Sequence, residues 1–162
     1  SIKEALQICR AFLLHVSLKS TGGATMAIQL DLSSLENALK RLDEALQANA
    51  TEPQNSLYRD ACIQRFEFCY ELSHKMLKRY LELASPNPVE IDELAFPDLI
   101  RTGSEQGLLR NGWDIWKNYR QARSITSHTY DESKAIAVMQ IVPDFLLEGQ
   151  ALHKELSQRT KG

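Results

Sequence analysis

Apolar residues recur at steps of three and four along most of the chain, the spacing that gathers side chains on one face of a helix. Residues 2–18 show it first, with Ile2, Ala5, Leu6, Cys9, Phe12, Leu13 and Val16 on a common side. Residues 19–25 break it, because the adjacent Gly22 and Gly23 disfavour helix, so the pattern predicts an amphipathic appendage followed by a tether. The next helix is predicted to open at Ser33, where Ser33-Ser-Leu-Glu36 matches a capping box in which two side chains satisfy each other's backbone N–H groups. Leu35, Leu39, Leu42 and Leu46 line its face, with Ala38 and Ala45 beside them, until the Asn49–Asn55 stretch containing Pro53 ends it.

A longer helix is predicted from about Ser56 to Leu83. Its stripe of Ile63, Phe66, Tyr70, Leu77 and Leu81 is widened by Cys62, Cys69, Leu72, Met76 and Leu83, which predicts contact on two sides. Ser85-Pro-Asn-Pro88 stops it, since each proline lacks an N–H and crowds the preceding turn. A short helix, about Val89 to Ile100 with a disturbance at Pro97, should lead through Thr102-Gly-Ser into a helix over Gln106 to Arg123. There Leu109, Trp113, Trp116 and Tyr119 or Arg120 share a face, and Arg123 follows Trp116 by seven residues. The last helix, about Tyr130 to Leu156, presents Ala135, Val138, Met139, Val142, Phe145, Leu146 and Leu152, with Pro143 bending it. Short links between amphipathic helices of these lengths predict an all-α fold, an antiparallel up-and-down four-helix bundle with an extra short helix and the N-terminal helical appendage. The expected division is 1–25 for appendage and tether and 26–162 for the bundle.

Composition agrees. Only 7 glycines and 5 prolines interrupt a chain rich in good helix formers, and its 162 residues suit one domain with a core of its own. Cys9, Cys62 and Cys69 are an odd number without zinc-ligand spacing, which points to a reduced compartment and no metal. Ala11 to Leu14 is too short to cross a bilayer, charges interrupt the longer apolar runs, and residues 1–19 lack the apolar centre of a secretory signal. The expectation is a cytoplasmic protein without a membrane partner. A net charge of -2 argues against general coating of nucleic acid. Locally the balance differs: Arg101, Arg110, Lys117, Arg120 and Arg123 face only Glu105 and Asp114 between residues 101 and 130, enough for a small anion-binding patch.

The most informative run is Arg123-Ser-Ile-Thr-Ser-His128-Thr-Tyr130-Asp-Glu132. In one continuous helix, residues five apart point about 140° away from each other. Thr129-Tyr-Asp-Glu132 is a second capping-box pattern, however, so a helix should begin near Thr129, and a tight turn before it can bring Arg123 and His128 together. A helix start favours an anion, arginine offers phosphate a forked donor, and histidine moves protons near neutral pH. Those three properties suit metal-free, cofactor-free cleavage of an RNA phosphodiester. The plainer alternative pairs Arg123 with Glu67 or Glu71 and leaves His128 as a turn residue. His15, His74 and His153 are too scattered for a metal cluster, Gly22-Gly23 lacks the company of a phosphate loop, and Trp113 and Trp116 fit core or subunit interface better than a stacking platform.

Phe66-Glu67, Tyr70-Glu71, Lys78-Arg79-Tyr80-Leu81, Ser85-Pro, Ala95-Phe96, Trp113 and Arg123 to Glu132 together resemble the nucleotidyltransferase substrate-binding protein family, within the superfamily of prokaryotic HEPN domains. The resemblance runs from Met26 to about Leu156. It implies a helical bundle, usually a homodimer, encoded beside a minimal nucleotidyltransferase in a toxin–antitoxin-like pair. It also implies a site for RNA or nucleotide phosphate: many members are metal-independent endoribonucleases that use the Arg and His of an Arg-x4-6-His motif, matched here by Arg123 and His128, while others are non-catalytic binding or scaffolding subunits. Ser124 stands where a polar residue, typically Asn, follows the motif arginine, and Thr129 flanks the histidine as a further supporting residue. In the branch with His-x-Tyr the tyrosine accepts adenylyl groups from the paired transferase, a role that falls on Tyr130.

Overall fold

The computed structural model describes residues 27–160. The expected appendage and tether of residues 1–25 lie outside them. Six α-helices follow one another: α1 (Ser33–Thr51), α2 (Ser56–Ala84), α3 (Pro88–Asp92), α4 (Phe96–Glu105), α5 (Trp113–Ile125) and α6 (Glu132–Thr160), with a single 3-10 turn, Thr126–His128, between the last two. The all-α bundle expected from the pattern is what forms. Arg59 meets Glu132, Phe66 packs on Phe145, and Ser73 stands beside Gly149, so α2 and α6 run in the same direction. Helix α1 runs against them, Arg65 of α2 donating to the Arg41 carbonyl at 2.6 Å, and so does α5, whose Tyr119 and Arg123 reach Asp144 and Glu71.

Helix α2 touches all the other helices and the 3-10 turn. That accounts for its wide stripe: Cys62, Cys69 and Met76 are buried as fully as Phe66 and Leu77, each against a different neighbour. Burial pushes the Cys69 thiol up to about 12, leaving it an inert apolar group. Around Phe145 of α6 gathers a set of tilted and edge-on rings, Phe66, Tyr70, Trp116 and Tyr119, at centroid distances of 5.1 to 5.9 Å.

Boundaries differ from the pattern at four places. Neither predicted capping box forms. Asp31 accepts the Ser33 N–H at 2.9 Å, so α1 starts at Ser33 itself with Leu32 as its cap residue. At α6, Asp131 accepts the Ser133 N–H at 2.9 Å, and the helix opens at Glu132 rather than at Thr129 or Tyr130. The single helix expected over Val89–Ile100 is two, α3 and α4, because Pro97 fits the first turn of a helix, where its missing N–H has no bond to lose. Thr102-Gly-Ser lies inside α4 instead of breaking it. The true stop is Gly107, at φ +73°, with the Gly107 and Leu108 amides donating back to the Ser104 and Gly103 carbonyls in a Schellman closure; Gln106–Gly112 is therefore a loop and α5 begins at Trp113. Pro143 leaves α6 continuous.

Helix α6 is long and apolar enough to cross a membrane by length and composition, with mean hydropathy 1.3 over its best window. Here it serves as the core helix, with Ala135, Val138, Val142, Phe145, Leu152 and Leu156 fully buried. Gly149 lets it come close to α1: a Cβ added there would stand 2.5 Å from Leu39 Cδ2. We expect Gly149→Val to cost about 1–3 kcal/mol through overpacking. Thermal unfolding should show the midpoint falling by several degrees, whereas an unchanged midpoint would mean that α1 and α6 do not approach this closely.

Candidate functional site

Arg123 sits in the last turn of α5, next to the buried stripe of Trp116, Tyr119 and Ala122, and so at the seam with α2. Its Nε donates to Glu71 Oε1 at 3.2 Å, and its Nη2 lies 3.8 Å from Glu67 Oε2, an ion-pair distance too long for a hydrogen bond. Both α2 carboxylates named from the sequence are thus its partners. Thr126, at the start of the 3-10 turn, completes the arrangement: Arg123 Nη1 donates to Thr126 Oγ1 at 3.1 Å, while that hydroxyl donates to the Arg123 carbonyl at 2.9 Å. The side chain is thereby fastened to its own backbone one turn later. A guanidinium has five N–H groups, and the described residues take two of them in hydrogen bonds, which leaves a fork for an incoming anion.

His128 closes the same 3-10 turn and is exposed. Its ring is 6.1 Å from that of Tyr130, edge-on, and Tyr130 projects into solvent at 87% exposure. Thr129 Oγ1 donates to the Thr126 carbonyl at 3.0 Å, which holds the turn from its far side. Ser124 is turned away, its hydroxyl donating to the Gln121 carbonyl at 2.7 Å, and makes no hydrogen bond to Arg123 or His128. The first amides of α6 follow directly. The Ser133 hydroxyl and N–H hold the Asp131 carboxyl below its usual range, keeping an anion at the helix start. Arg59 reaches across from α2 to Glu132 and ties the base of α6 to the bundle.

The arrangement therefore offers a partly exposed guanidinium held in place, an exposed imidazole at the end of the next turn, and a phenol beyond it. That set can bind an oxyanion and move a proton. No group of three or more His, Cys, Asp or Glu able to hold a metal occurs among the described residues.

Two participants were not named from the sequence. Thr126 lies three residues after Arg123, a helical neighbour spacing that was legible in principle. Glu148 had no local signal: buried in the middle of α6, it accepts the Arg110 N–H at 2.9 Å and the Asn111 side-chain amide at 2.7 Å, binding the loop before α5 to α6. Asp144 supports the same loop through Tyr119 and, at 3.1 Å, Arg110.

A helical bundle with a cation and an imidazole on successive turns at one seam defines the class, an all-α nucleotide-system module. The pattern of the family described as nucleotidyltransferase substrate binding protein like matches residues 30–158, and the chain belongs to that family, within the HEPN group. It is 38% identical over 144 residues to the probable ribonuclease HepT of Haemophilus influenzae, covering 84% of this chain and 98% of that protein. A solved structure from Haemophilus influenzae, described as the fold of a substrate binding domain of a nucleotidyltransferase, superposes with a TM-score of 0.73 at 36% identity, over 78% of this chain and 99% of the other.

Burial raises the Glu148 carboxyl above its ordinary value, opposed by the hydrogen bonds from Asn111 and Arg110. A carboxyl whose folded pKa is raised binds its proton more readily in the folded state, so its contribution to stability declines as pH climbs from 4.5 through the raised value. Chemical unfolding of the parent and Glu148→Gln across this range should show the parent losing stability relative to the variant as pH rises. A difference that is flat or of opposite slope would contradict the burial-driven shift.

Proposed function

We propose that this chain is the HEPN subunit of a two-gene, toxin–antitoxin-like nucleotidyltransferase system and that it cleaves RNA without a metal, through Arg123 and His128. The observation that carries the reading is the Arg123–Thr126 lock, which fixes a guanidinium one short turn before an exposed imidazole, in a chain related to a protein named a probable ribonuclease. In the reaction the 2'-oxygen forms a bond to phosphorus as the bond to the 5'-oxygen breaks; the 2'-hydroxyl gives up a proton and the 5'-oxygen gains one. His128 performs one of these transfers, and Arg123 balances charge gathering on the phosphoryl oxygens. Glu67 and Glu71 orient the guanidinium and temper its charge, so that only a ligand presenting at least one full negative charge displaces solvent from its remaining N–H groups.

The second reading is a non-catalytic subunit that binds a nucleotide-containing substrate for its partner. It is favoured by the outward-turned Ser124, which adds no donor at the site, and by the substrate binding domain to which the chain is structurally similar. Incubation of purified protein with cellular RNA in excess chelator separates the two. The enzyme reading expects cleavage that falls by roughly 10²- to 10⁴-fold in His128→Ala, and a smaller loss in Thr126→Val, which keeps the shape of the side chain and removes the lock. Intact RNA with the parent, or equal cleavage by parent and His128→Ala, overturns the assignment.

Tyr130 is, on the same reading, the acceptor for an adenylyl group from the paired transferase. Its hydroxyl oxygen attacks the α-phosphorus of ATP and displaces pyrophosphate, losing its proton to a base of the transferase. The support is its exposure, its ring beside His128 and its place just before the α6 amides. An AMP phosphate there would add negative charge next to His128 and to a helix start that favours anions, taking the room of the RNA phosphate. Co-expression with the adjacent transferase, followed by residue-level mass spectrometry, is expected to map the AMP adduct to Tyr130. An active transferase that never modifies Tyr130 would remove it from this role.

A further inference from the structure

One turn beyond Glu71 along α2, on the far side of Arg123 from His128, the surface changes character. His74 packs edge-on against Phe96 of α4 with ring centroids 4.8 Å apart, Trp113 meets the same ring edge-on at 5.9 Å, and the Arg120 guanidinium lies over it at 5.1 Å. Phe96 and Trp113 are only partly buried, and Arg120 is exposed. Beside this cluster is an open hollow of about 310 Å³ lined by Lys75, Lys78, Arg79 and Glu82. The acids nearby are already engaged: Glu71 holds Arg123, Asp92 lies 2.7 Å from Lys78, and Glu82 lies 3.4 Å from Arg79. Among the described residues, Lys75 and Arg120 have no carboxylate in salt-bridge range. The net sign of this surface is positive.

We infer that the hollow of Lys75, Lys78 and Arg79, with the Phe96–Arg120 pair at its edge, is a second subsite for single-stranded RNA, holding a phosphate and a base of the strand whose scissile phosphate lies at Arg123. The inference rests on the proposed RNA-binding reading of Arg123. Three features fit that ligand. From Glu71 to Lys78 is seven helical residues, about 10 Å along the axis, which is no more than three nucleotides at the roughly 3.4 Å spacing of a stacked strand. Cations supply sequence-independent attraction to the backbone, and a ring capped by arginine supplies a surface on which any base can stack, the combination used by general single-strand binders. His74 adds ring surface and not charge: burial lowers its pKa, the cations Lys78, Lys75 and Arg120 acting in the same direction against the pull of Glu71, so it is neutral at pH 7.

Lys75→Ala/Lys78→Ala tests this with little risk to the fold, since Lys78 is paired only with Asp92, whose side chain is 68% exposed. Binding of the full chain and this variant should be measured, in chelator, to a dinucleotide that spans Arg123 alone and to a single-stranded RNA of about twelve nucleotides, within the site sizes such grooves take. The expected result is unchanged affinity for the dinucleotide, affinity for the longer RNA lower by roughly tenfold, and a salt dependence of log affinity reduced by about 1.4, or 0.7 for each of two lost phosphate contacts. Parent and variant binding the longer RNA equally, with equal salt dependence, overturns the subsite while leaving the Arg123 site intact. A parent that binds neither RNA overturns both. A variant that instead changes the solution mass of the protein, with RNA affinity unaltered, identifies the surface as a protein interface and also overturns the inference.

Discussion

Everything in this bundle leans on one helix that has almost no free side. Helix α2 meets α1 along one flank and α6 along another, while α3, α4, α5 and the 3-10 turn close the remainder. A helix gripped in this way needs apolar residues around most of its circumference, which is why two stripes overlap between Cys62 and Leu83. Its polar positions are confined to the narrow arc left over, and that arc holds Glu67, Glu71, His74, Lys75 and Lys78. The chemistry of the molecule is thus drawn up in a line because there is nowhere else on α2 for a charge to stand.

Helix α5 answers that line. Its buried residues Trp116, Tyr119 and Ala122 settle its rotation, and its rotation delivers Arg120 over Phe96 and Arg123 between two carboxylates. The ring cluster about Phe145 sets the same rotation from beneath, since Trp116 and Tyr119 both pack edge-on against it. At the opposite end of α5, Glu148 secures the preceding loop by its amides. A helix held at its base by a buried carboxylate and along its length by aromatic packing presents its final turn with little freedom, and Thr126 removes part of what remains.

Helix existence and the apolar faces were legible because burial imposes a period, and a period survives in any single sequence. Ends were less so. Ser33 and Thr129 begin formally correct capping boxes, yet Asp31 and Asp131 each stand two residues before a serine and can accept both its N–H and its hydroxyl, an acid-to-amide bond that wins over a neutral hydroxyl cap. Gly103 read as a break because glycine weakens helices, but a Cβ there would come within 2.9 Å of Leu77, so the position is small for packing and stays helical. The Arg123–His128 turn and the Glu67 and Glu71 partners could be inferred from the motif. Glu148 could not, because its partners lie 37 and 38 residues away and nothing local distinguishes a buried carboxylate from an exposed one.

The placement of acids within α6 has a bearing on biosynthesis. This is the one described helix that a membrane-insertion machinery would find attractive by length and hydropathy. Asp144 near its middle opposes that fate by about 2.5–3.5 kcal/mol if carried to the centre of a bilayer. The atoms that satisfy Asp144 and Glu148, on Arg110, Asn111 and Tyr119, are all translated before α6 is. As the nascent helix emerges, its acids thus find donors already made in the folding chain, so the residues that make the lipid route unfavourable are the same ones that guide the last long helix onto the waiting bundle.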